Sequence, residues 1–396
     1  MFNSNYVRQT APCLIIFVFL LSGCGVRTVE KVYGPLAGLT TSEPSPHLEL
    51  VSRESIPSFL DDLDLDSLNL AIERNSQYLK RLRDRDIVSF GNRQFTVREM
   101  KETLIAFRDI MQGPEQDKVK EEKIIAAFDF YKSLGDDGKG RVLFTGYYEP
   151  VLEGSFIKTE KYTYPLYRPP AEMVFLKPGK SNGKAFPHYK RADIDGNGVL
   201  AGRNLEILWV DDYVDLFFLH IQGSGKIRLP DGKFVQVGYA QSNGRPYRSI
   251  ANYLLEKGKI TKAEQSLPAI KKYLREHQED MATVLNYNER YVFFRMVEGG
   301  PLGALDIPIT AGRTIASDHD FFPKGALALI RTRKPLFEKG AIVSWTPFSR
   351  FVVNQDAGGA IKGPGRIDLF CGSGEEAAAV AGRLKEAGEL FFLIKK

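Results

Sequence analysis

Residues 354–374, NQDAGGAIKGPGRIDLFCGSG, set two carboxylates, Asp356 and Asp368, on either side of a glycine-rich turn that holds one lysine, Lys362. No histidine lies beside them. Paired acids of this kind suit glycosidic chemistry, in which one protonates the leaving oxygen and the other activates water or attacks the sugar. An acid that starts protonated near neutral pH needs a raised pKa, for which Ile367, Leu369 and Phe370 are candidate apolar neighbours. Strand alternation would put Ile367 and Leu369 on the face opposite Asp368, so the apolar wall would then come from elsewhere. Asp356 either supports an oxocarbenium-like transition state or fixes the loop, or else hydrogen-bonds the amides of the AGGAIKG turn, and Asp318, ahead of FFPKG, has the look of a turn-former that could also line the site. Lys362 is either a contact for substrate carboxylates or a solvated side chain.

Other stretches add binding chemistry. HIQGSG, residues 220–225, offers an amide, Gln222, and a hydroxyl, Ser224, between glycines that include Gly225, as suits sugar acetamido and hydroxyl groups; a tight turn is the plainer reading. Tyr147 and Tyr148 offer flat faces for sugar rings, although alternation would send one of them inward. Glu149 could serve as a second acid, but the adjoining Pro150 marks a strand end and favours a structural role. DIDGNGVLAGRN, residues 193–204, begins like a calcium loop, yet Asn204 occupies the place of the bidentate glutamate, so a turn is expected. The five histidines never fall at ligand spacing, and no metal or other cofactor is expected.

The elements that must position these residues fall into zones. Arg8 precedes a short apolar run ending in LSGC, with the flanks of a secretory signal and, at Cys24, a site that resembles the lipobox of bacterial lipoproteins. A signal peptide over 1–23 and a lipidated tether over 24–50 follow from that, and Gly25 after Cys24 favours the periplasmic face of an outer membrane. With Cys13 removed and Cys24 lipidated, Cys371 has no disulfide partner, so packing must hold the fold. A net charge of +5 is too dispersed for nucleic acid but suits an acidic polymer or anionic surface. Residues 51–133 read as helical, with Leu68, Ala71, Ile72, Leu79 and Leu82 on one face and Val97, Met100, Leu104, Phe107 and Met111 on another, behind a TVRE capping box. From 141 to 245 the pattern is of strands, including EILWVDDYVDLFFLHIQGSG; helices follow, and strands return from 290, interrupted by the helix GEEAAAVAGRLKEAG. The class is α+β, mostly β, with strands that read as barrels.

Four stretches, TGYYEP at 145–150, FLHIQGSGKIRLPDG at 218–232, VGYAQSNGRPYRSI at 237–250, and the region from ITAGRTIASDHDFFPKG to DAGGAIKGPGRIDLF, together resemble the membrane-bound lytic murein transglycosylase A family. The last resembles its 3D domain, whose three aspartates fall on Asp318, Asp356 and Asp368. The resemblance implies a double-psi β-barrel from 51–148 and 294–396, with a glycan-binding β domain inserted at 149–293. It also implies a groove between the two for peptidoglycan strands, and Asp368 as the single catalytic acid. A lytic transglycosylase needs only one acid, because the substrate's own C6 hydroxyl is the nucleophile. A hydrolase pairing Asp368 with Asp356 or Glu149, and a wall-binding lipoprotein without catalysis, stay open on the residues alone. Regulatory partners, such as cell-wall synthesis or division proteins, are not indicated.

Overall fold

Local signals set the first elements of the computed structural model, which describes residues 47–174, 188–338 and 341–396. The signal peptide, Cys24 and the tether up to residue 46 lie outside the described residues. Strand β1 (Leu48–Leu50) is followed by helix α1 (Leu65–Lys80), which starts where the Asp64 carboxylate accepts the Ser67 amide at 2.7 Å and buries Leu68, Ala71, Ile72 and Leu79 on one stripe. A hairpin, β2 (Ile87–Phe90) and β3 (Arg93–Thr96), leads into α2 (Val97–Gln112), whose Thr96–Glu99 capping box forms as read. Next come α3 (Asp117–Ala127), β4 (Phe128–Ser133) and β5 (Val142–Glu149). The helical zone thus also holds three strands, too short to register against the periodicity of α1 and α2. The tether also ends earlier than expected, since Leu48–Leu50 pair with β4 and bury Leu48.

The middle of the chain contributes β6 (Val151–Ser155), β7 (Tyr164–Tyr167), the short helix α4 (Ala171–Val174), β8 (Glu206–Val210), α5 (Tyr213–Gln222), β9 (Ser224–Arg228) and β10 (Phe234–Ser242). Helices α6 (Ile250–Glu256), α7 (Leu267–Glu276) and α8 (Gln278–Tyr287) precede β11 (Val292–Val297). These strands form one sheet in the order β11-β10-β9-β6-β8-β7. Helix α5 corrects the reading of its segment as strand. Asp212 caps it through the Asp215 amide at 2.7 Å, and Val214, Leu216, Phe217, Phe218 and Leu219 are all buried. A helix apolar on every side has no polar face to betray its period. Strand β11 corrects a boundary: it pairs with β10, so a division at 293/294 would cut through it. The stretch that begins like a calcium loop, where a turn is expected, makes a wide helical turn, Ala192–Gly196, in which Asp195 takes the fully buried Arg191 at 3.2 Å.

The remaining strands are β12 (Thr314–Ala316), β13 (Leu327–Glu338), β14 (Ala341–Asp356), β15 (Arg366–Ser373) and β16 (Lys385–Lys395), with α9 (Gly374–Ala381) before the last. With β5 they close a six-stranded ring, β16-β13-β14-β12-β15-β5, back to β16. This is the double-psi barrel of the α+β, mostly β fold expected. Two pairings, β12–β14 and β15–β5, are parallel. Residues 385–388 of β16 close on β5, and 391–395 pair with β4. Ile315, Phe351, Ile367, Leu369 and Phe144 fill the core, each contributing about 2–3 kcal/mol by burial.

One buried ion pair fastens the N-terminal segment to the barrel. Arg313, fully buried just before β12, donates to Asp61 Oδ2 at 2.6 Å, to the Phe351 carbonyl at 2.9 Å and to the Asp64 carbonyl at 2.8 Å. Removing the acid strands a buried guanidinium. Asp61→Ala should therefore lower unfolding free energy by about 3 kcal/mol, read by urea denaturation; a loss below about 1 kcal/mol would mean the pair is not a fastening.

Candidate active site

Strand β12 sets the spacing of the acids. Its residue Ala316 pairs with Asp356 of β14 on one side and Asp368 of β15 on the other, so both aspartates stand at one level of the sheet, one strand apart. Asp368 is in turn opposite Thr145 of β5, and Phe370 opposite Tyr147. Alternation then decides the faces. Ile367 and Leu369 are buried in the barrel core, whereas Asp368 shares the other face with Phe370, whose ring centroid lies 5.2 Å from that of Tyr147. The apolar wall beside the acid is thus Phe370 and Tyr147, with Ile367 and Leu369 facing away.

Asp368 is part-buried and takes the Thr145 hydroxyl on Oδ1. Burial pushes its carboxyl above the ordinary range, opposed by the Thr145 hydrogen bond and the Arg366 charge. Asp356 is held differently. Its Oδ1 accepts the amides of Ala304 at 2.9 Å and Ala357 at 2.8 Å, and its Oδ2 accepts the Tyr147 hydroxyl at 2.7 Å. Burial nevertheless pushes its pKa up to about 6 against these three donors, with the Asp368 charge adding to the rise. Tyr147, between both acids, is pushed well above the usual phenol range by burial and by Asp356. Cys371, a free thiol, is pushed up to about 12, chiefly by burial, and is no nucleophile at neutral pH.

Asp318 is buried and organises the loop between β14 and β15. Its Oδ2 accepts the Gly363 amide at 3.1 Å, its Oδ1 the Asp320 amide at 3.3 Å, and the exposed Lys362 ammonium lies 3.6 Å from it. Glu149 is fully buried, and its oxygens are taken by Gln236 Nε2 and, at 2.5 Å, by the Ser373 hydroxyl, with Lys226 at 3.8 Å. It clasps the ends of β5 and β15 to β9 and β10.

Of the residues singled out in the sequence, Asp368, Asp356 and Tyr147 come together. Tyr148 does not: it is buried against Ala377 and Ala381 of α9, because alternation turns it away from Tyr147. Gln222 sits at the end of α5, and its side-chain oxygen accepts the Tyr148 amide at 3.2 Å. Ser224 and Gly225 are buried at the start of β9, where a Cβ on Gly225 would lie 2.5 Å from Leu219 Cδ1; only glycine lets strand and helix approach so closely. Three further residues were not singled out. Thr145 lies two positions from Tyr147 and shares its face, a signal available in the period-two pattern. Tyr247, between β10 and α6, has its phenol pushed upward by burial while Arg366 and Asp368 act on it in opposite senses. Arg366 is the third, and only the fold brings these last two to Asp368.

Comparison with known proteins agrees with this geometry. Residues 143–295 match the family model described as the MltA specific insert domain, and 313–394 match the 3D domain. The membrane-bound lytic murein transglycosylase A of Escherichia coli K12 is 31% identical over 268 residues, 67% of this chain and 69% of that protein. A crystal structure of a membrane-bound lytic murein transglycosylase from Agrobacterium tumefaciens superposes with a TM-score of 0.70 at 27% identity, covering 88% of this chain and 97% of the other. The E. coli structure with bound chitohexaose has a TM-score of 0.71, covering 90% and 96%; at 23% identity it speaks for the fold. Barrel, inserted sheet and buried acid together define an enzyme of the lytic murein transglycosylase class, acting on peptidoglycan. Within that class, the chain belongs to the membrane-bound lytic murein transglycosylase A family.

The Asp356 environment carries a pH signature. A carboxyl with a folded pKa near 6, above its unfolded value, favours the fold below about pH 4, and that contribution is lost as pH rises through 6. Between pH 4 and 7 the wild type should lose on the order of 2–3 kcal/mol relative to Asp356→Asn, measured by denaturant titration at each pH. Parallel curves for the two proteins would show that Asp356 titrates normally.

Proposed function

We propose that this enzyme cleaves the β-1,4 bond between N-acetylmuramic acid and N-acetylglucosamine with Asp368 as the one acid and base, leaving 1,6-anhydro ends. Protonated Asp368 gives its proton to the glycosidic oxygen as the C1–O bond breaks. Its carboxylate then takes the proton of the muramoyl C6 hydroxyl while that oxygen bonds to C1, so the ring closes without water and the acid is restored. Thr145 fixes the carboxyl through its hydroxyl, and Phe370 and Tyr147 keep its surroundings apolar. Asp356 and Asp318 hold the loop beside it.

The observation that carries the single-acid reading is the state of the other carboxylates. Both oxygens of Asp356 and both of Glu149 already accept hydrogen bonds from protein groups, and Glu149 is fully buried, which favours structural roles for both. That disfavours a two-carboxylate hydrolase. In this reading the glycan lies between the barrel and the inserted sheet, the division expected near 51–148, 149–293 and 294–396 being adjusted to keep β11 with the insert. The chitohexaose bound to the E. coli relative supports a site for β-1,4-linked N-acetylated sugars. The membrane-bound relatives support attachment through a lipid on Cys24, with the enzyme on the periplasmic face of the outer membrane.

A soluble form starting at Gly25 and its Asp368→Asn variant are to be incubated with purified sacculi and the released muropeptides weighed. Products one water lighter than hydrolytic ones are expected, with kcat reduced about 10³-fold or more in the folded variant. Hydrated reducing ends would show a second acid at work. Because Asp368 must begin protonated, the wild-type rate should fall as pH rises through its elevated pKa.

A further inference from the structure

Two arginines that the proposed chemistry does not use meet the loop between β14 and β15, which leads into the strand of Asp368. Arg290, just before β11, packs against the loop between β14 and β15: a Cβ on Gly359 would lie 3.2 Å from its Cζ and 3.3 Å from Nη2, so a side chain there would press on the guanidinium. Arg366, which opens β15, donates from Nη1 to the carbonyl of the next loop residue, Ala360, at 3.1 Å, and its Nε is buried without a hydrogen-bond partner. Their neighbours are neutralised. Arg245 has Glu289 at 3.1 Å, and Lys362 has Asp318 at 3.6 Å. Among the described residues, no carboxylate lies within ion-pair distance of Arg290 or Arg366. Arg290's own side-chain hydrogen bond, to the Arg245 carbonyl, is a long one at 3.5 Å.

Two guanidinium groups against consecutive residues of one loop repel each other, a buried N–H without an acceptor is costly, and the Asp368 carboxyl that feels the Arg366 charge starts the proposed reaction protonated, so the arrangement calls for an anion. Planar guanidinium groups match a carboxylate in particular. Arg366 is also two residues from Asp368 on the same face of β15, the face from which the proposed acid would meet the sugar.

We infer that Arg290 and Arg366 form a carboxylate subsite beside Asp368, which takes the free lactyl carboxylate of an N-acetylmuramic acid unit on a glycan strand without stem peptides. The inference rests on the transglycosylase reading above. The sugar's hydroxyl and acetamido groups are neutral, and the lactyl carboxylate is the ionised group of the bare glycan. A stem peptide converts it to an amide and removes the charge, so this enzyme should favour denuded stretches of wall.

The test gives the full chain, in detergent, two substrates: peptide-free murein strands, and the same strands with their lactyl carboxylates converted to methylamides. Formation of anhydro ends yields kcat and KM for each. The amidated strand should show a KM raised about tenfold with kcat little changed, a gap that narrows with added salt. Arg290→Gln should close most of it by raising KM for the charged strand alone, with unaltered thermal melting as the check on folding; Arg366→Gln should close it too, with the pH profile of both strands shifted because its charge acts on Asp368. Should Arg366→Gln fail to fold, Arg290→Gln and the wild-type comparison still decide. Equal KM for the two strands, or a gap that survives in the folded variants, overturns the subsite alone. No anhydro product from either strand overturns the reaction and the subsite with it.

Discussion

The parallel pairing of β5 with β15 is the contact on which the rest of this molecule depends. It joins residues more than two hundred positions apart in the chain, sets Thr145 against Asp368 and Tyr147 against Phe370, and completes the ring between β15 and β16. Without it Asp368 would be one more acid on a strand. With it, the carboxyl gains a hydroxyl that fixes its orientation and an aromatic neighbour that keeps its surroundings apolar, and burial raises its pKa.

The same pairing ties the two sheets together. Strand β5 ends at Glu149, and β6 of the inserted sheet begins at Val151. At that junction the buried carboxylate of Glu149 takes donors from β10 and from the end of β15, so the acid that looked like a spare catalytic group is a clasp. A buried charge is tolerated there because both of its oxygens are hydrogen-bonded and Lys226 lies nearby. Asp318 does similar work in the loop that carries Lys362, and Asp356 anchors the start of that loop. Three of the four acids weighed as candidates thus accept two or more hydrogen bonds that hold the fold, whereas Asp368 takes the hydroxyl of Thr145.

The sequence by itself determined the pieces with local physics behind them. The amphipathic stripes of α1 and α2, the Thr96–Glu99 capping box, the strand character of β5, β10, β13 and β16, and the turn-forming role of Asp318 all follow from near neighbours, as does the burial of one tyrosine in the Tyr147–Tyr148 pair. The alternation of RIDLF, which turns Ile367 and Leu369 away from Asp368, was legible too. Tertiary structure alone decided what depends on distant partners: that apolar α5 is a helix, that β11 belongs with β10, and that Thr145, Tyr247 and Arg366 gather at Asp368. Period and propensity act over a few residues, whereas register across a closed barrel is fixed by which buried faces fit one another, and no window of sequence contains both sides of that fit.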